Sequence, residues 1–207
     1  MTTEIELKLS ILPDEVPALL RWPVLVAAGE PRRQLLSSRY YDTPELDLMM
    51  RQAAFRVRHT GQSWVQTIKI GGTVVNGLHS RPEWEMAVPD DHPYPELFTA
   101  AEVRAVLNAQ VVARLQPIFQ TVFWRSTWLV DYGNGSIEVA LDQGEVSSGG
   151  RTAPICEVEF ELKSGKADAI TRLADTLAQH IKLTPDSVSK AQRGYALYRA
   201  QHVAVSE

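Results

Sequence analysis

The stretch TEIELKLSI (Thr3–Ile11) alternates without a break: Glu4, Glu6 and Lys8 fall at every second position, with Ile5, Leu7 and Leu9 in between. Successive side chains of a strand point to opposite faces, so this segment reads as a strand with one ionised and one apolar face. The same parity returns along the chain. Arg56 with Arg58, Thr67 with Lys69, Glu83 with Glu85, Arg125 with Thr127, and Glu138 with Asp142 each share a face, as do Glu157, Glu159, Glu161 and Lys163. A sheet wetted on one side accounts for any one of these strands. It fits the set less well, because EVEFE (157–161) stacks three carboxylates about 7 Å apart on one face, and like charges on neighbouring strands destabilise a sheet.

Working outward, the strand pattern appears about eight times in series, at residues 3–11, 34–43, 53–59, 64–70, 79–88, 123–131, 136–146 and 153–163. The connections read as antiparallel: glycines mark IGGTVVNGL (70–78) and SSGGRT (147–152), and Asn134-Gly135 is a strong hairpin signal because both residues accept positive φ. Helical spacing is expected over residues 13–27, 95–108, 166–181 and 187–200. In the third, Ile170, Leu173, Leu177 and Ile181 form one stripe, and Asp168 stands four residues before Arg172.

With 207 residues and no linker-like tract, the chain is read as one domain, 1–207, with a continuous core. No apolar run approaches the ~18 to 20 residues of a membrane span, and the N-terminus lacks a signal-peptide pattern, so the expectation is a soluble, cytoplasmic protein with no membrane partner. A net charge of −4 argues against a nucleic-acid partner. The single cysteine, Cys156, shares parity with the apolar face and leaves no internal disulfide and no cysteine zinc cluster. His59, His79, His92, His180 and His202 share no metal-ligand spacing. Trp64, Trp124 and Trp128 oppose the charged face and are expected to pack against helices; of Tyr40 and Tyr41, one is expected inward.

Oxygen ligands remain for any metal. Hard ions such as magnesium are held by one or two carboxylates plus substrate phosphates. Glutamates on one strand are too widely spaced to share such an ion, so ligands must converge from facing strands, which favours a rolled sheet with its charged face inward. Arg56, Arg58, Lys69 and Arg125 lie on strands separate from the acid-rich ones, which predicts a lumen divided into a carboxylate zone and a cationic zone. A polyphosphate suits such a lumen, since guanidinium groups bind phosphate in bidentate fashion.

At this point the residues resemble a known family. Glu4-x-Glu6-x-Lys8, followed in order by YYDTP (40–44), FRVR (55–58), TIK (67–69), RPEWE (81–85), WR (124–125), IEVALDQGEV (137–146), ICEVEFEL (155–162) and SKAQRGY (189–195), looks like the CYTH domain of the triphosphate tunnel metalloenzymes, most like the bacterial inorganic triphosphatases. The resemblance implies an α+β fold: an eight-stranded antiparallel β-barrel, or tunnel, with flanking helices and a C-terminal plug helix. It implies hydrolysis of tripolyphosphate to pyrophosphate and phosphate with magnesium or manganese, as two ions. Carried over residue by residue, Glu4, Glu6 and Asp142, with two or three of Glu157, Glu159 and Glu161, would bind metal, and Arg56, Arg58, Lys69 and Arg125 would bind phosphate. Lys8 would bind phosphate at the acidic end and act with Glu4, Glu6 and Asp142 in catalysis, and Lys190 and Arg193 would lie on the plug helix and bind the terminal phosphate. Glu83 and Glu85 match motif positions whose role is open. Bacterial relatives often carry a helical CHAD domain next, which would make this chain part of a longer protein. The competing readings are a nucleoside or thiamine triphosphatase, an adenylyl cyclase on the same fold, and a polyphosphate-binding module without turnover.

Overall fold

A computed structural model describes residues 2–203, with side chains up to Gln201; the side chain of His202 therefore lies outside the described residues. In chain order the strands are β1 (Thr2–Ile11), β2 (Arg32–Asp42), β3 (Ala53–His59), β4 (Trp64–Ile70), β5 (Thr73–Val75), β6 (Leu78–Val88), β7 (Gln116–Tyr132), β8 (Gly135–Ser148), β9 (Arg151–Ser164) and β10 (Leu183–Pro185). The helices are α1 (Val16–Leu20), α2 (Pro23–Ala28), α3 (Asp47–Met50), α4 (Ala101–Val106), α5 (Ala109–Val112), α6 (Asp168–Ala178) and α7 (Lys190–Val203).

The strands pair in the order β1-β9-β8-β7-β2-β3-β4-β6, every pair antiparallel, and β6 returns to β1 to close an eight-stranded barrel. The short β5 and β10 are additions, pairing with β6 and β1 respectively. Closure follows from β1 having partners on both edges: Glu4 and Glu6 stand opposite Arg81 and His79 of β6, while Glu6 and Lys8 stand opposite Glu161 and Glu159 of β9.

Two of the expected helices are broken, each for a local reason. Pro23 holds Trp22 extended (ψ 124°), so residues 13–27 divide into a 3-10 turn, α1 and α2. Over 95–108, a turn at Pro95–Leu97 precedes α4, and Asn108 starts α5 by accepting from the backbone N–H groups of Gln110 and Val111.

The barrel is apolar outside and ionised inside. Leu9, Val139, Leu141, Val158 and Phe160 on its outer face are buried against Leu19, Leu25, Ile170, Leu173 and Leu177 of α1, α2 and α6. Phe55, Val57 and Ile68 are covered by Phe98, Val103, Leu107 and Val111. Trp128 is buried in the first cluster and donates to the Gly29 carbonyl at 3.2 Å. Trp124 departs from expectation: it points outward as its parity requires but is 44% exposed, covered by the Arg33 guanidinium 4.6 Å from its ring rather than by a helix. Cys156 is half-buried against the first cluster.

Helix α7 closes one end of the barrel. Tyr195 packs edge-on to Phe119, which stacks on Tyr40 at 4.4 Å, and the Tyr195 hydroxyl donates to buried Asp42 at 3.0 Å. A Cβ added at Gly194 would collide with the Phe119 ring, so glycine sets how closely α7 seats. Gly194→Ala is therefore expected to lower stability by about 1–3 kcal/mol, read as a lower thermal midpoint; an unchanged midpoint would show that the helix seats independently of this contact.

Candidate active site

The inward faces of the barrel strands line one cavity. Glu4, Glu6 and Lys8 come from β1, Tyr40 from β2, Arg56 and Arg58 from β3, Thr67 and Lys69 from β4, Arg81 from β6, Arg125 from β7 and Glu159 from β9; Ser189 and Lys190 close it above. Alternation positions these groups, and the apolar alternates between them are anchored in the outer clusters.

Asp142, Glu157 and Glu159, all buried, bring one carboxylate oxygen each to within 4.8 Å of one another. Cations gather on them. Arg125 grips Asp142 through Nε at 2.7 Å and Nη2 at 2.6 Å and also reaches Glu159. Lys190 Nζ contacts all three acids, at 2.6 Å from Asp142 and 2.8 Å from Glu159. Arg193 bonds Glu157, Asp186 at 3.1 Å and the Pro154 carbonyl at 3.2 Å. Burial works against the charged forms, yet Lys190 and Arg125 hold Glu159 well below the usual carboxylate range, and Asp142, Glu157 and Glu159 hold Lys190 above its ordinary value.

Across the lumen, Lys69 bonds Glu4 and lies 3.0 Å from Glu83, and the Thr67 hydroxyl donates to Glu85 at 3.0 Å. Glu83 and Glu85 thus orient the β4 side chains. Lys8, 2% exposed, donates to the Val188 carbonyl and lies 3.6 Å from Asp186. Among the described residues Glu6 lacks such a partner: burial first, then the neighbouring Glu159 and Glu4, raise its pKa to about 7.

Arg56 and Arg58 form the cationic wall. Arg58 Nε donates to Ser38 at 2.9 Å, and burial together with Arg56 and Arg125 brings its pKa down to about 9. Arg56 Nε is buried with no hydrogen-bond partner. The Phe123 ring lies beneath Arg58, Arg125 and Lys190, 5.7, 5.7 and 4.9 Å from its centre, so three cations share one aromatic floor.

One expectation needs correction. The lumen is not cleanly divided into acidic and basic zones, because register sets Arg125 directly opposite Asp142 and Lys69 opposite Glu83, interleaving the charges. Of the three β9 glutamates, Glu157 and Glu159 join Asp142, and Glu161 pairs with Lys163 at 2.8 Å beside Glu138. Other residues were missed. Asp186, in the β10–α7 segment, ties Lys8 to Arg193, and no strand parity could reveal it. Of the tyrosine pair, Tyr40 faces the lumen and Tyr41 the outer cluster.

The donor set fits a hard divalent cation. Three carboxylates converge with only oxygen donors, and Glu6 stands beside them. The CYTH domain pattern matches residues 2–195. The chain belongs to the CYTH family. A Haemophilus influenzae relative named inorganic triphosphatase is 38% identical over 199 residues, which are 95% of this chain and 55% of that protein, so the chain spans about half the length of that relative. The helical CHAD companion has no support from these comparisons. Among solved structures, a Hippeastrum protein described as an adenylyl cyclase candidate with a dominant triphosphatase activity superposes with a TM-score of 0.69 at 18% identity, covering 96% of each chain. A Bacillus halodurans protein described as an adenylate cyclase candidate gives 0.58 at 19% identity, covering 93% of this chain and 98% of its own. These likenesses establish the CYTH tunnel fold. No described helix is long and apolar enough to cross a membrane.

Proposed function

We propose that this chain is a divalent-metal-dependent inorganic triphosphatase that hydrolyses tripolyphosphate to pyrophosphate and phosphate, with residues 1–207 acting as one cytoplasmic unit. One juxtaposition carries the reading: among the described residues a buried guanidinium with an unpartnered Nε, Arg56, lines the same lumen as Glu159, whose carboxylate clusters with those of Asp142 and Glu157 behind it. A purely anion-binding lumen gains nothing from buried acids that need compensation. The CYTH relative named as an inorganic triphosphatase points the same way.

Asp142, Glu157 and Glu159, with Glu6 beside them, would hold magnesium or manganese, which supplies charge neutralisation on phosphate oxygens and a bound water of lowered pKa. Arg56 and Arg58 bind and orient the phosphate chain from the opposite wall, at positions set by alternation on one strand. Arg125 and Lys190 bridge the two walls and balance the acids. Lys8 and Arg193, tied through Asp186, fix the β10–α7 segment against the acidic side of the lumen.

Arg58→Ala is expected to raise KM for tripolyphosphate about tenfold or more with a smaller change in kcat, because one charge-assisted contact is lost. It should leave thermal stability unreduced, since Arg58 is crowded by two other cations. An unchanged KM would remove it from the binding wall.

An organic triphosphate is the second reading. What favours it is a largely apolar groove along α7, lined by Met49, Val74, Tyr195 and Ala196, that meets the lumen at Lys69 and Arg81. Phosphorus NMR on tripolyphosphate, ATP and thiamine triphosphate, each with magnesium, separates the two. Equimolar pyrophosphate and phosphate formed fastest from tripolyphosphate supports the first; faster turnover of ATP or thiamine triphosphate supports the second.

A further inference from the structure

Extending the reading just given, and resting on it, we propose that Arg81 is a further phosphate-binding residue of the lumen and that His79 is the positioning residue that aims it. Residues 79, 81, 83 and 85 share the inner face of β6, on the seam where the barrel closes onto β1. Arg81 lines both the lumen and the groove along α7, so it stands at the mouth through which a substrate would enter.

Among the described residues Arg81 forms no ion pair, unlike Lys69, Arg125 and Lys190 of the same lumen. Its cross-strand neighbour Glu4 is engaged by Lys69 instead. Arg81 Nε is buried without a hydrogen-bond partner. Arg81 Nη2 lies 2.5 Å from Nδ1 of His79, which is 1% exposed. A guanidinium only donates, so Nδ1 accepts and the imidazole proton sits on Nε2, which donates to the Asp186 carbonyl at 3.2 Å.

The stem of Arg81 is pinned as well. A Cβ at Gly72, whose φ is +103°, would come within 2.8 Å of Arg81 Cγ, so the β4–β5 turn lies directly on the side chain. The result is an arginine fixed by its stem and one Nη, with a free, desolvated Nε and no carboxylate to satisfy it. A phosphate oxygen is the acceptor that such a group fits.

The test pairs steady-state kinetics on tripolyphosphate with calorimetric titration of tripolyphosphate in EDTA, where nothing turns over. Arg81→Ala should raise KM and weaken binding 10- to 100-fold, with kcat changed far less. His79→Leu should reproduce that loss, His79→Asn should restore most of it by placing an oxygen near the Nδ1 position, and His79→Leu should add nothing in an Arg81→Ala background. Arg81→Lys, which keeps the charge but loses the fork, should fall between parent and alanine and serves if the alanine protein fails to fold. Unchanged binding by Arg81→Ala or Arg81→Lys would overturn the proposal, and losses that add in the double variant would overturn the role of His79. If the parent hydrolyses no triphosphate, the functional reading fails while the EDTA titration still decides Arg81.

Discussion

A Glu6→Gln protein is expected to lose tripolyphosphate hydrolysis by about a hundredfold or more, and in EDTA above pH 7 to unfold at a higher temperature than the parent. Both effects have one cause. Glu6 is 8% exposed, lies near Glu159 and Glu4, and among the described residues has no cation bonded to it, so its pKa rises from an ordinary 4.5 to about 7. The folded protein therefore holds this proton more tightly than the unfolded chain. The associated stabilisation is fully present below about pH 4.5 and is lost as pH rises through about 7. Glutamine removes the charge permanently, which should add on the order of 3 kcal/mol well above pH 7, or several degrees in the midpoint for a chain of this size. Under the proposed function the same change would remove a carboxylate from beside the ion, and with it several kcal/mol of transition-state charge stabilisation. Equal midpoints at pH 8 would show that Glu6 is not strained, and near-parental turnover at saturating magnesium would remove it from the metal site.

Removing Lys190 should have the largest effect on stability. Its ammonium, 9% exposed on the side chain, contacts Asp142, Glu157 and Glu159, of which the first two are fully buried. Lys190→Ala leaves those acids short of positive charge, and breaking a buried ion cluster by deleting one partner costs about 3–5 kcal/mol. In EDTA the midpoint should fall by roughly 10 °C. Magnesium or manganese should then recover much of the loss, giving a larger metal-induced thermal shift than in the parent, because the ion and the lysine balance the same carboxylates. Turnover should stay low, since Lys190 also helps close the lumen. A midpoint close to parental in EDTA, or a metal-induced shift no larger than the parent's, would contradict this account of the cluster.

Much of the barrel was legible in β1. Strict alternation of charge and apolar residue can only be read as a strand with two different faces, and its repetition in β3, β4, β6, β8 and β9 placed the ionised faces together. The three-residue strands β5 and β10 were not legible, because so short a run has no period. Pro23 should have divided the first helix, and the length of the apolar stretch concealed it. Within the site, parity found Glu6, Arg58, Arg125 and Glu159 but was silent on register. It is register that sets Arg125 against Asp142 and moves Glu161 away from the clustered acids. Arg81 carried a usable signal, the same parity as Glu83 and Glu85, masked by Pro82 beside it. Asp186 and Ser189 lie outside the barrel strands, where only the fold brings them to the lumen.

If the clustered carboxylates hold a divalent ion against a phosphate chain bound by Arg56 and Arg58, hydrolysis requires that ion. The most direct measurement is the initial rate of phosphate release from tripolyphosphate by EDTA-treated protein as magnesium or manganese is titrated back. The account predicts no release without metal and saturable activation by either ion, with that activation lost in Glu6→Gln. Release at an equal rate in EDTA would contradict it.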